Sequence, residues 1–118
     1  GHRLLMDAGA ENGGNDLGPR PKSLILSSLA GCTGMDVVSL LAKMRVEVAG
    51  FELIVEADLE KDHPKYYNRI HVIYQFEGEN LPYEKLQKAV DMSFEKYCGV
   101  IGLLKKAIPV TSEIRLVK

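Results

Sequence analysis

Two cysteines are the chain's candidates for covalent chemistry, and each stands beside a residue without a side chain. Cys32 lies in "SSLAGCTGMD", residues 27–36, between Gly31 and Gly34 of what otherwise reads as a helix, and Cys98 closes "VDMSFEKYC" just before Gly99. Two thiols are too few for a disulfide scaffold or a four-cysteine zinc site, which leaves inert core thiols or a redox pair. Burial favours the first, since free cysteine packs as a small hydrophobe. The glycines complicate it: each costs about 1 kcal/mol relative to alanine inside a helix and is tolerated where a backbone or ligand approaches closely. Tight helix–helix packing on Ala30, Gly31 and Gly34 is the plainest expectation. If the two cysteine-bearing helices lie side by side, thiols 66 positions apart come within disulfide reach.

A reactive thiol also needs a cation, a histidinium or a helix N-terminus to hold its thiolate. Lys22 is ten residues before Cys32, about 15 Å away along a continuous helix, which removes it as a partner. Arg3, Arg20 and Arg45 are the arginines on this side of the chain, and Glu95, near Cys98, either orients a cation or is an exposed helical carboxylate. His2, His63 and His71 are too scattered for a metal site, so no metal is expected. Tyr66, Tyr67 and Tyr97 read as packing residues.

The elements that must position these side chains follow from periodicity. Residues 2–6 (HRLLM) are a short strand candidate, and Asp7 to Pro21, rich in Gly, Asn, Asp and Pro, is a loop. From Lys22 to about Arg45 the spacing of Ile25, Leu29, Thr33, Val37, Leu40 and Leu41 predicts a long helix, apolar all round in its first half and so contacted on several sides. Phe51–Leu59 and Arg69–Phe76 read as two strands of a hairpin, burying Phe51, Leu53, Val55 and Ala57 on one and Ile70, Val72, Tyr74 and Phe76 on the other. A second helix starts near Pro82 and weakens at Gly99. Pro109 ends the helical region, and "VTSEIRLV" closes the chain as a strand. The order β, long α, ββ, α, β is that of an α+β fold.

A chain of 118 residues is one domain, residues 1–118. With 46% hydrophobic and 26% charged residues it has an ordinary globular composition, which argues against disorder. A net charge of -1 without a dense basic run gives no reason to expect nucleic acid or an anionic membrane as partner. The longest charge-free run, Ser23 to Met35, has 13 residues, short of the roughly 20 apolar ones that a membrane span needs. Residues 1–6 lack the regions of a secretory signal, and the abrupt start leaves room for an upstream segment. A cytoplasmic setting is the default expectation.

"GPRPKSLILSSLAGCTGMDVVSLLAK", two strands and then "VDMSFEKYCGVIGLLKKAIPVT" together resemble the OsmC/Ohr family, above all its OsmC-like branch. The resemblance implies an intertwined homodimer in which two long central helices are wrapped by antiparallel sheets. It implies a thiol-dependent peroxidase for organic hydroperoxides, with Cys32 as peroxidatic and Cys98 as resolving residue. It implies no cofactor beyond a dithiol reductant such as a dihydrolipoyl group. A small-molecule binding or redox-sensing protein with weak activity is the alternative. One departure stands out: hydroperoxide-resistance members carry a glutamate directly after the helix-opening proline, holding an activating arginine, and here that position is Lys22. Arg3 and Arg20 are the substitutes available.

Overall fold

Helix α1 occupies Leu24–Lys43 in a computed structural model that describes all 118 residues. It ends where Arg45 adopts a left-handed conformation (φ 58°) and the Val46 amide reaches back to the Leu41 carbonyl at 2.9 Å. A left-handed residue with a six-to-one hydrogen bond satisfies carbonyls that a helix end leaves free. Two strands follow, β1 (Gly50–Leu59) and β2 (Tyr67–Glu77), then α2 (Tyr83–Met92), a π-helical turn at Ser93–Tyr97, α3 (Gly99–Lys105) and β3 (Val110–Val117).

The strands form one sheet in the order β1-β2-β3. β1 and β2 are antiparallel with Phe51 opposite Phe76, Leu53 opposite Tyr74, Val55 opposite Val72 and Ala57 opposite Ile70, so the two apolar faces coincide. The Phe51 and Phe76 rings stack with centroids 4.8 Å apart. β3 adds to the other edge of β2 in parallel, which the helical crossover through α2 and α3 requires. The sheet is therefore single and mixed, where the sequence reading had antiparallel sheets. Flanked on both sides, β2 supplies Ile70, Val72, Tyr74 and Phe76 to the core, all fully buried with Leu29, Leu86, Ala89 and Ile101.

Three further expectations change. Residues 1–6 form no strand; they are exposed and run into a loop tied together by Asp7, whose carboxylate accepts from the backbone N–H groups of Ala8, Asn15 and Leu17. Those bonds, Asn15 and Leu17 first, hold the Asp7 carboxyl below its usual pKa. The second helix does break beside Gly99 as expected, but one residue earlier, at Cys98 (φ -75°, ψ 105°), and after a π turn at Ser93–Tyr97 that the sequence did not announce. Finally, α1 is covered on one side only. Leu29, Thr33, Gly34, Val37 and Leu41 are buried, whereas Met35 is 76% and Val38 56% exposed.

The glycines of α1 do different work. An added Cβ at Gly34 would meet Leu53 Cδ1 at 2.7 Å, so this glycine admits the sheet and not a second helix. Gly31 faces open space, with nothing within 4 Å of a Cβ placed there. By length and apolar composition α1 matches a membrane-crossing helix, but its buried residues and a hydrogen bond to Asp36 commit one side of it to the domain core.

Candidate functional site: a thiol pair beside a hydroxyl relay

The site lies where α1 passes the break between the π turn and α3. Cys32 and Asp36 are four residues apart on α1 and therefore share a face. Cys98 meets them from the break, so that Cys32 Sγ, Cys98 Sγ and a carboxylate oxygen of Asp36 all lie within 4.8 Å of one another. Both cysteines are free thiols; Cys32 is half-buried and Cys98 is 4% exposed.

The two sulfurs occupy different environments. Cys98 caps α3, its Sγ accepting from the Ile101 N–H at 3.4 Å. Burial nevertheless pushes the Cys98 thiol up to about 11, the nearby Cys32 adding to the shift, so that it is protonated at neutral pH. Cys32 is the more accessible sulfur.

Behind the thiols runs a chain of buried hydroxyls whose proton directions are fixed by its end. Ser93 Oγ donates to Asp36 Oδ2 at 2.9 Å. Having one proton, Ser93 must accept from Thr33 Oγ1, 2.7 Å away, and Thr33 must accept from the Tyr74 hydroxyl, also at 2.7 Å. Every proton in the relay therefore points towards the Asp36 carboxylate. Thr33, Ser93 and Tyr74 are fully buried, and burial pushes the Tyr74 phenol up to about 12. No buried side-chain polar atom lacks a partner.

The charged residues considered from sequence lie elsewhere. Lys22 donates to the Lys65 carbonyl at 2.6 Å, and Arg20 pairs with Asp16 at 2.6 Å. Glu95 does hold a cation: Lys105 Nζ is 3.2 Å from its carboxylate and 4.5 Å from the Phe94 ring centroid. Arg3 makes no ion pair, and neither does Asp36. His71 lies on the outer face of the sheet, bonded to Thr111 and Glu113 at 2.7 Å each. Tyr66 and Tyr97 are about half exposed rather than packed.

Sequence reasoning missed Asp36, Ser93 and the polar role of Thr33, which it counted among the apolar positions of α1. The Cys-x-x-x-Asp spacing was the available signal for Asp36. A serine on the inner face of "AVDMSF" was a weaker one for Ser93.

An α+β domain with two thiols held together across a helix break is the class that the fold and site define. The sequence model described as OsmC-like protein matches residues 13–113, and the chain belongs to that family. Protein YhfA of Escherichia coli (strain K12) is 34% identical over 117 residues, covering 99% of this chain and 84% of the relative. A crystal structure of a hypothetical protein from Aquifex aeolicus VF5 is 31% identical with a TM-score of 0.76, covering 89% and 80% of the two chains. The organic hydroperoxide resistance protein OhrB of Bacillus subtilis shares the fold, with a TM-score of 0.63 at 22% identity over 92% of this chain and 76% of that one.

Proposed function

We propose that the protein is a thiol-dependent peroxidase that reduces organic hydroperoxides through Cys32 and Cys98. The observation that carries this reading is the juxtaposition of the two sulfurs, with the buried one protonated and the accessible one free to meet substrate. In the first step Cys32 thiolate attacks the peroxide: an S–O bond forms, the O–O bond breaks, and the alcohol leaves after taking up a proton. Cys98 then attacks the sulfenic sulfur; an S–S bond forms, the S–O bond breaks, and water leaves with the proton that Cys98 gives up. A dithiol of the dihydrolipoyl kind returns two electrons and two protons.

The working unit of this proposal is a homodimer paired through the bare face of α1. The chain exposes 8016 Å², whereas a compact 13.1 kDa monomer exposes about 6,400 Å². Its radius of gyration is 16.2 Å, against about 13.5 Å for a compact domain of this length. The excess of about 1,600 Å² per chain, about 3,200 Å² for a pair, falls in the range that obligate homodimers bury, and Met35, Val38 and the exposed Leu4, Leu5 and Met6 are apolar residues suited to such an interface. The cation that holds the Cys32 thiolate then comes from the second copy, Arg3 being an arginine on the exposed N-terminal segment that makes no ion pair within its own chain.

One further observation keeps a binding role in view: a largely apolar groove of about 480 Å³ between Ile25, Tyr67, Ile70 and Ile108. Turnover separates the two readings. A peroxidase consumes cumene hydroperoxide over many cycles with a dithiol present and stops on Cys32→Ser, whereas a binding module retains a fatty acyl ligand unchanged by that substitution.

A further inference from the structure

The cluster that brings two thiols together also brings a carboxylate, which disulfide chemistry does not require. We propose that Cys32, Cys98 and Asp36 form a reversible binding site for a thiophilic divalent cation, zinc in the first instance. Zinc takes sulfur and carboxylate ligands at about 2.3 and 2.0 Å in a tetrahedron, which sets the donor atoms about 3.3–3.8 Å apart. The three atoms here are already mutually within 4.8 Å, so small side-chain rotations close the gap.

The surroundings are those of a ligand set rather than of a chance cluster. The four-residue spacing puts Cys32 and Asp36 on one face of α1, and the backbone break sets Cys98 opposite them. Asp36 Oδ2 is held by Ser93, itself backed by Thr33, while Oδ1 accepts no hydrogen bond and remains for the metal. Outer-sphere donors of this kind fix ligand orientation. The Ile101 N–H already points at Cys98 Sγ and would support a metal-bound thiolate. No lysine or arginine pairs with Asp36, so its carboxylate is open to a dication, whose charge is further offset by the two thiolates that form as it binds. On binding, two Zn–S bonds form and the two thiol protons pass to solvent. The half-buried Cys32 side leaves a fourth position for water. Occupancy engages both sulfurs and shields them from peroxide, a reversible block that does not depend on the peroxidase reading.

The test is zinc titration of the fully reduced protein against a chromophoric chelator at pH 7.5, with cadmium as a second probe read by its thiolate charge-transfer absorption. One zinc per chain is expected. Asp36→Asn should weaken binding roughly 10- to 100-fold and loss of either thiol by more. Protein whose thiols have been joined by diamide oxidation should bind none. Alkylation by iodoacetamide, mapped to Cys32 and Cys98 in the unaltered chain, should slow at least tenfold with zinc present, a readout that needs no variant to fold. Substoichiometric zinc with unprotected thiols would overturn the site. A folded Asp36→Asn protein that binds zinc as tightly as before would overturn the three-ligand geometry.

Discussion

Replacing Thr33 by valine removes the middle hydroxyl of the buried relay and almost nothing else, since the two side chains differ little in volume. Thr33 is fully buried and makes two hydrogen bonds of 2.7 Å. After the substitution Ser93 still donates to Asp36, but the Tyr74 hydroxyl, with no other partner, becomes an unsatisfied buried donor. Losing the bond to Ser93 costs about 1 kcal/mol and stranding the Tyr74 donor about 1–2 kcal/mol, so a loss of about 2–3 kcal/mol is expected. Tyr74→Phe leaves Thr33 donating to Ser93 and should cost only about 1 kcal/mol. In the Thr33→Val background, removing the Tyr74 hydroxyl also removes the orphan, so the pair should fall short of additivity by about 1–2 kcal/mol. Urea unfolding of the reduced protein at one fixed concentration measures this; with slopes of about 1–3 kcal/mol/M the single change moves the midpoint by about 0.7–3 M. A Thr33→Val cost under about 0.5 kcal/mol, or a Tyr74→Phe cost equal in both backgrounds, would refute the relay.

If the proposed dimer pairs through the bare α1 face, glutamate at Val38 or Met35 should leave only monomer in sedimentation analysis, because it places a charge in the centre of that face. Gly31→Ala, which meets nothing within the chain, should gain up to about 1 kcal/mol of helix propensity if that face stays open and should instead weaken a closely packed dimer. Arg3→Ala should slow Cys32 oxidation by roughly 100-fold, while Arg20→Ala, already paired with Asp16, should leave it unchanged. The raised Cys98 pKa gives a signed pH dependence: the folded state holds that proton more tightly than the unfolded state. Its contribution is therefore complete below about pH 9, is lost progressively as pH rises through about 11, and should vanish from the urea midpoint on Cys98→Ala.

Strand faces were legible because alternation is local: the Phe51, Leu53, Val55 series and the Ile70, Val72, Tyr74 series each declare a side, and the register joins them. The parallel addition of β3 was not, since its pairing depends on where the crossover delivers it. Residues 2–6 misled because a five-residue strand draws its stability from a neighbour, and within one chain these residues have none. Apolarity all round α1 predicted contacts on several sides, whereas the chain covers only one of them, because apolar composition does not say which faces a fold will pack. At the site, the thiols announced themselves by type, whereas Thr33 and Ser93 did not. Their hydroxyls acquire meaning only when α1, β2 and the π turn converge.

The most direct test of the central claim is a non-reducing peptide mass map of the fully reduced protein after one equivalent of cumene hydroperoxide, beside a sample given hydrogen peroxide. The account requires a Cys32–Cys98 disulfide that forms faster with the organic peroxide. Two thiols that both stay reduced would contradict it.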